Sequence, residues 1–261
     1  MQSLLLYLQL ARFHKPIGFL LLLWPTLIAL WLANHGFPPI KLFIIFTAGT
    51  FITRAAGCVI NDIWDARFDS KVERTKTRPL ATQKLSHFQA IIFFTILISA
   101  GFVLLCLLNS LTFFLGVMAA LLIIIYPLMK RVTYFPQIIL GLAFSMGILM
   151  AFSASTYHLP PLSWILYVIN VLWCVMYDTQ YAITDLKDDI KIGIKSTAIY
   201  FKHPLYLIIT LQFLIILNLN LLGWILKLKM IFYIAILITI LVTILVIFVF
   251  NIVPIKKCAE W

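Results

Sequence analysis

Aspartate occurs at only seven of 261 positions, in two short groups, Asp62/Asp65/Asp69 and Asp178/Asp185/Asp188/Asp189. Glu73 and Glu260 complete the acidic residues, against twenty Lys and Arg. Asn61, Asp65 and Asp69 stand at i, i+4 and i+8, so on a helix their oxygen-bearing side chains share one face. Asp62 sits about 100° round from that face. It lies on an i, i+3, i+7 line with Asp65 and Asp69, which lets it join the rim. Asp178, Asp185 and Asp189 follow at i, i+7 and i+11, with Tyr181 on the same face. Oxygen donors of this kind suit a hard cation, since magnesium takes one or two carboxylates and fills its shell with waters and substrate phosphates. The spacing therefore predicts two facing carboxylate groups that hold Mg2+ against a diphosphate. Two merely solvated helix ends are the bland alternative, but they set carboxylates against the negative end of the helix macrodipole with nothing to offset it.

Basic residues complete an anion site. The segment after the first group reads Arg67-Phe-Asp-Ser-Lys71-Val-Glu-Arg74-Thr-Lys76-Thr-Arg78-Pro79, and the planar fork of arginine suits phosphate oxygens. Tyr126 and Lys130 stand at i, i+4, where an ammonium would meet the negative charge that grows on a departing diphosphate. Arg54 lies seven residues before Asn61 on the same face, about 10 Å away along the helix axis. A charge at that depth needs a partner. A carboxylate-bearing aromatic acceptor supplies one, with room for a ring between its carboxylate and the metal-bound diphosphate. Pairing with an aspartate or snorkelling towards the headgroups are the alternatives.

Only membrane helices can position these residues. The chain is 63% hydrophobic with a mean hydropathy of +1.07, which excludes a soluble globular domain. Apolar runs near the ~20 residues needed to cross hydrocarbon predict spans at 17–33, 40–64, 88–108, 111–129, 135–153, 162–184, 204–223 and 229–253. The fold class is all-α, a polytopic transmembrane bundle of about eight helices. No cleaved leader is expected, because the first apolar run lacks a small-residue cleavage site. With the N-terminus inside, sixteen Lys and Arg fall on one side and only Lys41, Lys227 and Lys229 on the other. The excess of positive charge on inner loops then places both aspartate groups at cytoplasmic helix ends. The net charge of +11 reflects topology and attraction to anionic membrane lipid, not nucleic-acid binding. Cys58, Cys106, Cys174 and Cys258 show no metal or disulfide spacing and read as reduced packing residues. Asn61 and Asp185 begin their groups 124 residues apart, which predicts two pseudo-repeated halves around a central cavity.

The segment Gly57-Cys-Val-Ile-Asn61-Asp62-Ile-Trp-Asp65-Ala-Arg-Phe-Asp69, followed by Arg74-Thr-Lys-Thr-Arg78-Pro79, resembles the first aspartate-rich motif of the UbiA-type membrane prenyltransferases. Tyr177-Asp178-Thr-Gln-Tyr181-Ala-Ile-Thr-Asp185-Leu-Lys-Asp188-Asp189, with Gly193-Ile-Lys195-Ser196-Thr197, resembles the second. Arg12-Phe-His-Lys15-Pro16-Ile-Gly18, Arg54-Ala-Ala-Gly57 and Tyr126-Pro-Leu-Met-Lys130-Arg131 are similar to the branch that acts on 4-hydroxybenzoate. The resemblance runs from about residue 10 to about residue 200. It implies a Mg2+-dependent enzyme of ubiquinone biosynthesis in the bacterial inner membrane, its site on the cytoplasmic side, joining a polyprenyl diphosphate to 4-hydroxybenzoate. Asn61, Asp62, Asp65, Asp69, Asp185 and Asp189 are then the metal set, with Asp178 a companion one turn-line away. Arg78 and Lys130 contact diphosphate, Tyr126 and Tyr181 border the allylic group, and Arg54 takes the aromatic acid. Naphthoate or homogentisate as acceptor is an alternative within the family. A cation transporter is a remote one, because its acidic groups would sit near mid-membrane. The family pattern has nine transmembrane helices against the eight spans counted here. The expectation is a single domain over 1–261 whose last helix is missing, with a truncated, inactive copy as the corresponding alternative.

Overall fold

The computed structural model of the chain describes residues 2–70 and 75–252. They form ten helices: α1 (Gln2–Leu10), α2 (Ile17–Ala33), α3 (Ile40–Asp69), α4 (His87–Leu105), α5 (Ser110–Val132), α6 (Pro136–Thr156), α7 (Pro161–Ile192), α8 (Thr197–Tyr200), α9 (Pro204–Ile225) and α10 (Met230–Ile252). Lys71, Arg74 and the tail with Cys258 lie outside the described residues. No strand occurs among the described residues. Helices α3, α4, α5, α6, α7 and α9 are long and apolar enough to cross a membrane, and α2 and α10 are shorter apolar helices. The molecule is an integral membrane protein of the all-α class.

All eight apolar helices coincide with the expected spans, and the differences lie at their ends. Expected to stop at 64 and 184, α3 and α7 run on to Asp69 and Ile192. Hydropathy falls where the aspartates begin, yet the helix continues and keeps their side chains in helical register. Only at Gly193 does α7 end; its φ of 73° is a left-handed turn that glycine takes without a Cβ penalty, and its amide donates to the carbonyls of Asp189 and Ile190. Helix starts follow local signals. Ser86 and Gln89 form a reciprocal capping box before α4, the Asn109 side chain caps α5, and prolines open α6, α7 and α9. Unforeseen were α1, nine residues and too short to span, and the single turn α8.

One buried cluster joins five helices at the end of the bundle away from the aspartates, through Leu30 of α2, Phe46 of α3, Phe152 of α6, Leu166 of α7 and Leu222 of α9. Small residues let backbones approach, which matters in lipid because apolar side chains gain little by leaving it. A Cβ on Gly147 would collide with the Thr26 hydroxyl of α2, and one on Gly141 would stand 3.0 Å from the Val171 carbonyl of α7. Asn109 donates to the Ser153 carbonyl at 2.6 Å and Asn34 to the Ser155 hydroxyl at 2.9 Å, satisfying polar groups where water is scarce. Cys58, Cys106 and Cys174 are free thiols, the first and last of them buried.

Candidate active site

At the aspartate end, α2, α3, α4, α5, α6 and α7 border one cavity of about 1060 Å3. Its upper wall carries Asn61, Asp65 and Asp69 from α3, Arg78 from the following loop, Tyr126 and Lys130 from α5, and Asp178, Tyr181, Asp185 and Asp189 from α7. Arg54 lines the same space deeper along α3. Residues from both halves of the chain thus meet in one chamber, as the spacing of the two groups predicts. Asp62 is the exception. It is 2% exposed, does not line the cavity, and points into the protein behind the α3 face.

Charge pairing in the first group is close to complete. Lys130 Nζ donates to Asn61 Oδ1 at 3.5 Å and to Asp65 Oδ2 at 3.4 Å, while Arg131 stands 3.8 Å from the other oxygen of Asp65. Arg78 Nη1 donates to Asp69 Oδ2 at 2.7 Å and to Asp62 Oδ1 at 3.1 Å. The same Asp62 oxygen accepts from Arg12 Nη2 at 2.6 Å. Burial pushes the Asp69 carboxyl above its ordinary range, the neighbouring Asp62 and Asp65 push the same way, and Arg78 opposes them. The turn after α7 is tied to the wall of the first group, because the Lys195 amide donates to the Lys130 carbonyl at 2.8 Å. Below it, Thr179 and Thr197 share a buried hydroxyl contact of 2.7 Å, and the Thr197 amide donates to Gln137 at 3.3 Å.

Arg54 has a different setting. Its guanidinium lies 5.7 Å from the centroid of Phe144, and no ion pair or hydrogen bond to it occurs among the described residues. Gly18 makes room for it: a Cβ there would stand 2.8 Å from Nη2. An aromatic wall runs beside this pocket, with Trp173 stacked on Tyr177 at 5.2 Å and Tyr177 against Tyr181 at 5.0 Å.

Sequence reasoning gave no role to Arg12, Gly18, Phe144 or Trp173. Arg12 and Asp62 are 50 residues apart, and no local period reports such a pairing. Phe144 and Trp173 look like any other apolar residue of a spanning helix. Only the glycine at 18, inside an apolar helix start, carried a signal of close approach.

The donor set fits a hard divalent cation. Asn61, Asp65, Asp69, Asp185 and Asp189 are oxygen donors on two facing helices with no thiolate or imidazole among them. Among the described residues no group of three or more His, Cys, Asp or Glu side chains converges closely enough to hold a metal ion without further ligands.

Comparison with known proteins agrees with this layout. The model of the UbiA prenyltransferase family matches residues 22–261. A 4-hydroxybenzoate octaprenyltransferase of Psychromonas ingrahamii is 49% identical over 233 residues, covering 89% of this chain and 81% of that protein. Its counterpart in Pseudomonas fluorescens is 52% identical over 207 residues, covering 79% and 70%. In fold, the chain is similar to a UbiA homolog from Aeropyrum pernix K1, with a TM-score of 0.77 at 22% identity over 88% of this chain and 86% of that one. It is also similar to a UbiA homolog from Archaeoglobus fulgidus bound to GPP and Mg2+, with a TM-score of 0.73 at 16% identity over 94% and 87%. With two aspartate-bearing helices facing one chamber, and with a family match over nearly its whole length, the chain belongs to the UbiA prenyltransferase family.

Proposed function

We propose that the protein transfers a polyprenyl group from a polyprenyl diphosphate to the ring carbon of 4-hydroxybenzoate beside its hydroxyl, releasing diphosphate, as a step of ubiquinone biosynthesis. One observation carries the reading. The chamber gathers carboxylates and basic side chains suited to a cation and a phosphate, and an arginine deeper in that has no carboxylate partner among the described residues. About half-identity to 4-hydroxybenzoate octaprenyltransferases supports the choice of acceptor. The excess of Lys and Arg on the loops at the aspartate end supports a cytoplasmic mouth, and similarity to relatives such as that of Psychromonas ingrahamii supports a bacterial inner membrane.

Mg2+ held by Asn61, Asp65, Asp69, Asp185 and Asp189 would neutralise the donor's diphosphate and favour its departure. Lys130 and Arg78 face the same oxygens and meet the charge they gain as the carbon–oxygen bond breaks. The allylic cation left behind lies against the faces of Tyr126 and Tyr181, whose π electrons stabilise it. Apolar walls from α2, α4 and α5 exclude the water that would otherwise capture it as an alcohol. Arg54 holds the acceptor by its carboxylate, so the phenol presents its ring upward to the cation. The carbon beside the hydroxyl attacks, one carbon–carbon bond forms, and the ring proton passes to an aspartate of the second group or to the released diphosphate.

Membranes containing the protein, given labelled 4-hydroxybenzoate, a polyprenyl diphosphate and Mg2+, should yield a prenylated hydroxybenzoate identified by mass. Product from a naphthoate or homogentisate, with none from 4-hydroxybenzoate, would overturn the acceptor assignment and leave the prenyl transfer standing.

A further inference from the structure

Asp62 sits inside the motif that the resemblance assigns to metal, yet its surroundings suit another task. Its carboxylate is buried behind the cavity wall, and a single oxygen carries two guanidinium groups, Arg12 at 2.6 Å and Arg78 at 3.1 Å. Both arginines line the cavity and Asp62 does not. A carboxylate buried this deeply would be costly without such partners, and no cation entering from the cavity reaches it past them. Arg12 is also held in a conformation a non-glycine residue avoids, with φ of 60° in the turn between α1 and α2. Such backbone strain persists only where the surroundings fix it, and it gathers at ligand clamps.

Charge counting gives the arrangement a direction. Two carboxylates, Asp62 and Asp69, balance Arg12 and Arg78. Once Asp69 turns its charge to a bound cation, the remaining trio of Arg12, Arg78 and Asp62 carries one net positive charge at the cavity edge. A diphosphate supplies the matching negative charge, and guanidinium forks bind its oxygens two at a time.

We infer that Arg12 is a second arginine ligand of the donor's diphosphate, and that Asp62 is a positioning residue that aims Arg12 and Arg78 from behind instead of binding metal. The inference rests on the donor-site reading above. A purely structural role, pinning the α1–α2 turn to α3, predicts instead a general loss of folding and an equal loss of affinity for both substrates.

The test uses the full chain in detergent, with Mn2+ as the metal probe and inorganic pyrophosphate as the anion probe. Bound Mn2+ is counted by electron paramagnetic resonance, pyrophosphate affinity is measured by equilibrium dialysis, and KM is measured for both substrates. Asp62→Asn should bind the same number of Mn2+ per chain as wild type. Its pyrophosphate affinity should fall, and its KM for polyprenyl diphosphate rise, by about tenfold or more, as expected for the loss of a charge-assisted contact. Its KM for 4-hydroxybenzoate should not change. Loss of a Mn2+ ion in this variant would make Asp62 a metal ligand and overturn the inference, as would unchanged pyrophosphate affinity or an equal rise in both KM values. If Asp62→Asn cannot be recovered folded, Arg12→Gln decides alone: the weakened pyrophosphate binding with full Mn2+ stoichiometry supports the inference, and wild-type affinity overturns it. Asp65→Asn separates the two levels, because it should lose Mn2+ itself. Absence of Mn2+ and pyrophosphate binding in the wild-type chain would remove the donor-site reading and this inference with it. Normal wild-type binding that Asp62→Asn leaves untouched would remove the inference alone.

Discussion

Replacing Arg54 by alanine should raise KM for 4-hydroxybenzoate and leave KM for the polyprenyl diphosphate unchanged. The guanidinium rests between the face of Phe144 and the space left by Gly18, and its only cation-specific contact among the described residues is that ring at 5.7 Å. Deleting it therefore unpairs no carboxylate among the described residues, and on the proposed reading what is lost is the bond to the acceptor. A charge-assisted hydrogen bond contributes roughly 1.5–3 kcal/mol, so KM for the acceptor should rise about ten- to a hundredfold, with the effect carried by one substrate only. Lysine should restore little, because a point charge cannot make the bidentate contact of a planar fork. Gly18→Ala offers the same perturbation from the other side. Its new methyl group would stand 2.8 Å from Arg54 Nη2, so the guanidinium must move, and the acceptor KM should rise while the charge remains. Initial rates with each substrate varied at saturation of the other, in wild type and the three variants, give the result. An equal rise in both KM values, or an altered Mg2+ requirement with acceptor affinity intact, would refute the assignment of Arg54 to the acceptor.

Chelation with EDTA should abolish turnover and added Mg2+ restore it, because a divalent cation is needed to neutralise the charge that the diphosphate gains as it leaves; full activity in metal-free buffer would contradict the mechanism. Asp65→Ala or Asp189→Ala should lower kcat by about a hundredfold or more, the usual cost of one lost electrostatic stabiliser, while the protein still inserts into membranes; near-wild-type rates in both would make the groups surface features. Lys130→Met should lower kcat by a similar factor of about a hundred with little change in acceptor KM, and a change confined to acceptor KM would place the ammonium away from the leaving group.

What could be read in advance divides along a physical line. Lipid admits only helices or closed barrels as spanning elements and forces their surfaces to be apolar, so α2 and α9 show themselves as long, predominantly apolar runs without a charged residue. The same rule hides the ends of α3 and α7, since hydropathy measures affinity for lipid and not helicity, and these helices carry charged residues in their last turns. Asn61, Asp65 and Asp69 were legible as one face because a helical period is a local property. Whether Asp62 joins them in the cavity depends on where the chain 50 residues earlier comes to lie, and no period within the motif encodes that. Arg54 was conspicuous because a charge in an apolar run stands out; Phe144 beneath it was invisible for the opposite reason.

The backbone bond from the Lys195 amide to the Lys130 carbonyl has a thermodynamic consequence. Lys130 faces the first aspartate group, and Lys195 follows the turn that ends the helix of the second, so this bond, together with the packing of α2 and α3 on α6 and α7, fixes the two halves of the chamber before any ligand arrives. The entropy of bringing the halves together is thereby lost during folding and not at each encounter with substrate, which leaves more of the binding energy for the reacting bond. The Lys195 side chain adds to the link, its ammonium donating to the Val132 carbonyl at 3.1 Å, while a proline at 195, which has no amide hydrogen, would remove the main-chain bond itself.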